Sequence, residues 1–346
     1  MQVVRLVLLP LSMLYATVVF VRNRLYDLKV LKSRPSEQFT IVVGNLSVGG
    51  TGKSPFTEFL ITQLQDRHQL AVLSRGHGRS STGFVRGETA VNADQLGDEP
   101  WQIKSNFPNI PVFVDEDRHH GLRLIKKELP ECKVVILDDA FQHRKLIGNY
   151  NILLTLHSRP FFNEWPLPSG RLRDNRFEKR RADSIVVTKC PAEMAEAEKH
   201  SMTSSIGLRP AQDSYFSSII YLPPRKLWGR VQNLSKEIIL ITGIARTEEL
   251  EKHVHAHYTV LNHLKFPDHH QFDLRDLRKL RSIIDSFARN ELGILTTQKD
   301  ASRLKKWKRE LADLPFFELP IAVDLHGKEA ELIQRIDDEI LHAINH

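Results

Sequence analysis

Phe39 to Phe59 reads FTIVVGNLSVGGTGKSPFTEF. Its opening, Phe39 to Val43, is a run of apolar and β-branched residues and predicts a buried strand. A glycine-rich turn follows from Gly44 to Gly52, then Lys53-Ser54. Pro55 to Leu64 then has helical spacing, with Pro55 in a first turn, where its missing N–H does no harm. Strand, glycine loop, Lys-Ser and helix, in that order, describe a phosphate-binding P-loop. Glycines let backbone N–H groups converge on phosphate oxygens, and the helix N-terminus adds partial positive charge. The pattern assigns Asn45, Ser47, Val48, Gly49, Gly50, Thr51, Gly52, Lys53, Ser54 and Pro55 to a nucleotide. Lys53 reaches the β- and γ-phosphates, and the Ser54 hydroxyl ligates Mg²⁺. The strict GxxxxGK[ST] pattern has glycine where this chain has Ser47, but Gly49, Gly50 and Gly52 keep the loop glycine-rich.

A second strand supports the reading. Val134 to Leu137 is apolar and ends in Asp138-Asp139, as a strand does that carries an acid to the Mg²⁺ beside a P-loop. Further strands are expected at Leu70–Leu73, Pro111–Val114, Asn151–Leu156 and Ser184–Thr188, with helical stretches between them. Such alternation predicts an α/β fold with a doubly wound parallel sheet of P-loop NTPase type. The pattern breaks near Leu222-Pro223-Pro224. Residues 37–222 are therefore expected to form a kinase domain and 223–236 a linker. Residues 237–346 form a second, smaller α/β domain whose last helix, Glu329 to Ile344, packs back on the first. In that second part strands are expected at Glu237–Ile241, His257–Leu261, Gly293–Thr297 and Phe316–Val323.

The chain has 346 residues, 41% of them hydrophobic, and a formal net charge of +7. Such a balance suits nucleic acid, an anionic membrane surface or a phosphorylated substrate. Cys132 and Cys190 are too few for a disulfide framework and sit in or beside apolar runs. Leu6 to Val21 is almost wholly apolar and is followed by Arg22, Arg24, Lys29, Lys32 and Arg34. The run is short for a spanning helix. It predicts a helix, within residues 1–36, that lies in the membrane interface with its basic flank on anionic headgroups. A buried helix and a single span are the alternatives.

Loops at the C-terminal ends of parallel strands bind ligands. Here they carry Arg75, His77 and Arg79 in SRGHGR, Asp98 and Glu99 in GDEP, Gln142 and His143 in AFQHR, and Arg171 in PSGRLR. Arg75, His77, Arg79, Glu99, Gln142, His143 and Arg171 are candidates for binding the acceptor. Two acids at a helix start commonly serve as capping and dipole residues. In an enzyme moving a phosphoryl group, one of them can receive the acceptor's proton. The dense histidines from His253 to His270 fit no common zinc spacing.

Taken together, GNLSVGGTGK, SRGHGR, GDEP, LDDAFQHR, PSGRLR, FPDHH (Phe266–His270) and TTQKDA (Thr296–Ala301) resemble the tetraacyldisaccharide 4'-kinases of lipid A synthesis, over nearly the whole chain. The family's own loop also lacks the leading glycine. Ala140 and His77 stand where the family usually has Gly and often has Tyr. The resemblance implies transfer of the γ-phosphate of ATP, with Mg²⁺, to the 4'-hydroxyl of an acylated disaccharide 1-phosphate. It implies an inner-membrane location, monotopic or peripheral, with the active site facing the cytoplasm. It implies no nucleic acid and no obligate protein partner. Asp98 matches its catalytic base and His269 that base's charge partner, acting with Lys53. Two rivals differ in class. A P-loop GTPase needs [NT]KxD, which Thr188-Lys189 begins and Pro191 breaks. A membrane-associated ATPase of the binding or partitioning type would need no sugar acceptor.

Overall fold

The computed structural model describes residues 2–87, 93–268, 270–287 and 292–345. Among them the chain forms two main sheets. In the larger, eight strands run in the order Asp213–Phe216, Ser184–Thr188, Tyr150–Leu156, Phe39–Asn45, Val134–Asp138, Leu70–Ser74, Val112–Val114 and Val85–Arg86. All pairings are parallel except the last, where Val85–Arg86 runs antiparallel to Val112–Val114. The P-loop strand is central and buried at every residue. Its unbroken apolar run follows from cover on both faces. On one face the helices Lys53–Leu64 and Glu329–Asn345 bring Phe56, Leu60, Leu332 and Ile336 into one cluster with Ile41 and Val43. On the other, Arg118–Glu128 contributes Leu122 and Ile125 beside Val42 and Val135.

The smaller sheet runs Arg225–Trp228, Phe316–Leu319, Gly293–Thr297, Glu237–Thr242, Thr259–Lys265. Apolar side chains cover both of its faces too.

Three local expectations are corrected. The stretch 223–236, expected as linker, contains the edge strand Arg225–Trp228, antiparallel to Phe316–Leu319. The single strand expected over Phe316–Val323 is two. Phe316–Leu319 pairs with Gly293–Thr297, and Ile321–Asp324 with Ser218–Tyr221. Pro320 lies between and has no N–H to continue a ladder, so the chain changes partners there. Third, helix Glu248–His257 extends to the residue where a strand was expected, and the strand begins at Thr259. Leu250 and Val254, one turn apart and buried, decide for the helix.

The N-terminal helix spans Gln2–Asp27, 26 residues, so it runs past the apolar stretch into the basic flank. By length and composition, Arg5–Asp27 is apolar enough to cross a membrane, with a mean hydropathy of 1.7. One of its faces, however, is bonded along the first unit. Ser12 Oγ donates to Ser169 Oγ (2.7 Å), Tyr15 Oη to the Arg173 carbonyl (3.0 Å), Arg22 to the Gln142 carbonyl (2.9 Å) and Asn23 to Asp174 (2.7 Å). Asp27 pairs with Arg144 and Arg180. These partners explain why the helix continues through charged residues. The other face leaves Leu6, Val7, Leu11, Met13, Leu14, Val18 and Phe20 exposed, and Trp165 and Phe177 are exposed nearby.

Candidate active site

The site forms where the parallel strands end. Gly52, at φ 85°, leads directly into the helix Lys53–Leu64, so that Lys53, Ser54 and Pro55 fill its first turn. Ser47 lies in an isolated antiparallel bridge with Leu172, and its φ is not positive, so nothing there requires glycine. The Val48 N–H donates to the Arg171 carbonyl (2.8 Å) and the Arg173 N–H to the Leu46 carbonyl (2.8 Å). The PSGRLR segment is thereby strapped to the loop. A side chain at Gly49 would meet the Arg171 guanidinium at 3.3 Å, which puts Arg171 over the P-loop.

Lys53 Nζ lies 3.7 Å from Asp139, on whose carboxylate Arg173 also sits. Burial alone would raise Asp139, but Lys53 and Arg173 outweigh it and hold the carboxyl below its ordinary value. Asp138, fully buried, accepts only long bonds among the described residues, from the hydroxyls of Thr57 (3.4 Å) and Ser74 (3.3 Å). Burial, then the charges of Glu99 and Asp139, push it up to about 7. A buried carboxylate whose charge is so poorly compensated suits a cation. With Ser54 it would offer oxygen donors to a Mg²⁺ ion whose shell phosphates and water complete.

Asp98 begins the next helix, Asp98–Asn106. Gly97 precedes it at φ 97°, and a Cβ there would meet Gly76 Cα at 3.1 Å. Only glycine lets the GDEP and SRGHGR backbones approach so closely. Asp98 is met from the other sheet's unit by Arg303, whose Nε and Nη2 lie 3.1 and 2.9 Å from Oδ2.

Other expected residues fall in varied places. Arg75 and His77 are exposed on the SRGHGR loop. Arg79, expected at the acceptor, is instead bound to Glu116, Ser81 and the Gly83 carbonyl, where it ties its own loop together. The Asn45 side chain, expected at the nucleotide, is fully buried between Thr51 and Arg173 and shapes the loop from behind. Gln142 donates to the Asn45 carbonyl (2.7 Å). Burial, with the charge of Arg118, pushes His143 down to about 4, so its ring is neutral near pH 7, and its Nε2 is buried without a hydrogen bond. His269 lies outside the described residues. Its neighbour His270 bonds Asp276 (2.7 Å) and stacks on Phe266. His253 stacks on Tyr221 and His257.

Sequence reading missed Arg118, Arg173 and Arg303. Arg118 is almost fully buried, its Nε has no hydrogen bond, and Asp138, Arg75 and Asp139 act on its charge. Its signal was present as the cation between Asp117 and the paired histidines, but nothing local tied it to the site.

Comparison with known proteins agrees with this geometry. The sequence model of a family described as Tetraacyldisaccharide-1-P 4'-kinase matches residues 4–341. A tetraacyldisaccharide 4'-kinase of Bacteroides fragilis (strain YCH46) is 40% identical over 332 residues, 92% of this chain and 88% of that one. That of Cytophaga hutchinsonii is 33% identical over 345 residues, 99% of this chain and 97% of its own. A crystal structure of the "apo" form of LpxK from Aquifex aeolicus in complex with ATP superposes with a TM-score of 0.75. It is 30% identical in sequence and covers 96% of this chain and 99% of that one.

Proposed function

The chain belongs to the tetraacyldisaccharide-1-P 4'-kinase family, and from that premise we propose that it transfers the γ-phosphate of ATP to the 4'-hydroxyl of an acylated disaccharide 1-phosphate in lipid A synthesis. The observation that carries the reading is Lys53 set 3.7 Å from Asp139 at one helix start, with Asp98 at the start of another on the same sheet edge. One supplies charge for a phosphoryl group, and the other a carboxylate for a hydroxyl.

In the reaction Asp98 accepts the hydroxyl proton, the oxygen bonds the γ-phosphorus, and the bond to the β-phosphate oxygen breaks with ADP leaving in line. Lys53 and the P-loop N–H groups hold the phosphates and offset charge as it redistributes. Mg²⁺, if held here, would supply charge neutralisation to the phosphates. Ser54 and Asp138 are its best holders, since Asp139 already lies between two cations. Arg75 and His77, exposed on the SRGHGR loop, are assigned with Glu99 to the acceptor, and the buried Arg118 and half-buried His143 lie behind them in this role. His269 is assigned to Asp98 on the family resemblance. The two sheets act as lobes that close over the nucleotide, the second beginning with the edge strand Arg225–Trp228, and the last helix packs on the first lobe.

The N-terminal helix lies in the cytoplasmic face of the inner membrane rather than crossing it. Its bonds to the first lobe run from Ser12 to Asp27, which leaves too little free helix to span a bilayer. Its exposed apolar face, with Trp165 and Phe177, enters the interface.

One assay tests both parts: ATP turnover with and without the acylated disaccharide 1-phosphate in vesicles, for the full chain and for a chain cut before Ser36. Turnover that needs the acceptor, and that falls together with vesicle binding after the cut, is expected. Turnover indifferent to the acceptor would favour an ATPase of the partitioning type. Vesicle binding that survives the cut would place the membrane surface elsewhere.

A further inference from the structure

We propose that Arg303 is a positioning residue for the transfer. It reaches across from the second sheet's unit and fixes the carboxylate of Asp98 in the direction from which it takes the proton. The proposal rests on the reading of Asp98 as proton acceptor.

Arg303 lies in the short helix Gln298–Leu304, and its side chain is only 1% exposed. A buried guanidinium must have its charge met, and the way this one is met is directional. On one side Nη1 donates to the Gly243 carbonyl and to Asp300 Oδ1, both at 3.2 Å. Asp300 is itself fully buried and immobilised, since its Oδ2 accepts from the Gly243 N–H and from Thr297 Oγ1, both at 2.8 Å. On the other side Nε and Nη2 converge on Asp98 Oδ2. The guanidinium therefore spans two backbones, with its plane set by Gly243 and Asp300.

Asp98 needs such a hold. It follows a glycine in an unusual conformation, sits at a helix start, and remains partly open to solvent. Its own helix makes no side-chain cap there. Without an external partner the carboxylate would rotate about χ1 and χ2. A base displaced by an ångström loses a large share of its effect. Lysine at 303 could place one ammonium on Asp98, but it could not keep the fork that ties Asp98 to Gly243.

An ordinary interlobe ion pair would predict the same contacts, so the test must separate position from stability. Steady-state kinetics on the full-length enzyme with ATP and the acylated disaccharide 1-phosphate is compared for wild type, Arg303→Met, Arg303→Lys, Asp98→Ala and the double variant Asp98→Ala/Arg303→Met. Thermal melting is followed in parallel. Arg303→Met is expected to lower kcat about 10²-fold with KM for ATP changed less than about 3-fold, and Arg303→Lys to recover part of that loss. In the Asp98→Ala background, Arg303→Met should cost nothing further, because groups acting as one unit are not additive. An equal loss in both backgrounds, or a kcat loss that lysine does not relieve while melting is restored, overturns the proposal. Near wild-type kcat in Asp98→Ala would instead overturn the reading of Asp98 itself, which separates the two failures.

Discussion

The helices Lys53–Leu64 and Asp98–Asn106 each follow a glycine of positive φ, 85° at Gly52 and 97° at Gly97, and neither has a side-chain cap. Both therefore present bare N–H groups at the sheet edge. In the first helix the next residue is Lys53, and the helix end becomes an anion receptor. In the second the next residues are Asp98 and Glu99, whose negative charge is itself favoured by the helix end. The surroundings differ as well. Gly52 lies against Thr188, a strand end of its own sheet, and the Thr188 hydroxyl donates to the Thr51 carbonyl. Gly97 lies against Gly76, and Asp98 is completed by Arg303, 205 positions away. The Lys53-bearing end is thus built within one unit, while the acid-bearing end needs both. A helix start is an anion site only when no acid fills it, and the filled one is free to serve the other half of the reaction.

The contrast breaks most readily at the two charged residues. Asp98→Ala is expected to lower kcat about 10³-fold with ATP affinity retained, as for loss of a general base. Lys53→Ala is expected to lower kcat about 10²-fold and to weaken ATP binding as well. Titration with ATP beside single-turnover rates distinguishes them. If both variants lost ATP affinity equally, the division of labour would be wrong.

The glycines sharpen it on a smaller scale. Gly97→Ala combines a positive φ with Gly76 Cα 3.1 Å away, whereas at Gly52 the nearest atom is Thr188 Cβ at 3.7 Å. Backbone strain alone costs about 1–2 kcal/mol. Denaturant unfolding should show Gly97→Ala destabilised by about 2–3 kcal/mol and Gly52→Ala by about 1–2 kcal/mol, the difference coming from the clash and from a ψ of 151° at Gly97 that takes it outside the left-handed helical region of Gly52. Equal costs would mean that the GDEP and SRGHGR backbones yield easily.

A further test is one of pH. Asp138 has a folded-state pKa of about 7 against an unfolded-chain value of 3.8. The native protein keeps a proton that the unfolded chain gives up between these values. The stability linked to it is fully present below 3.8 and is lost as pH rises to about 7. Asp138→Asn removes that loss. Its melting temperature should exceed wild type above pH 7 and match it near pH 4, while turnover falls. A gain independent of pH would show that Asp138 is not the titrating group.

How far these features could be read from the residues depended on distance along the chain. The P-loop and the strand ending in Asp138 are local patterns, each complete within about twenty residues, so period and glycine placement suffice. The parallel sheet followed from the alternation of strands and helices. Arg173 and Arg303 could not be read in this way. Their partners, Asp139 and Asp98, lie 34 and 205 positions off, and nothing in the surrounding segment distinguishes them from the other basic residues. In the sequence, Arg22, Asn23 and Asp27 read as solvated flank behind the apolar run. They turn out to face partners on the first unit. The strand expected through Pro320 shows the converse, since the local rule against proline in a ladder was visible and decided the break.

The strap from Ser169 to Arg173 has a consequence for how a substrate arrives. Ser169 is bonded to Ser12, and the Arg173 carbonyl to Tyr15, while the Arg173 guanidinium holds Asp139. Five residues thus join the helix with the exposed apolar face to the edge that carries Asp139. If that helix lies in the interface as proposed, the reacting atoms would sit at headgroup depth. An acylated acceptor would find them by lateral diffusion within one leaflet, a search in two dimensions, without lifting its chains into water. Turnover should then follow the mole fraction of acceptor in the bilayer rather than its bulk concentration.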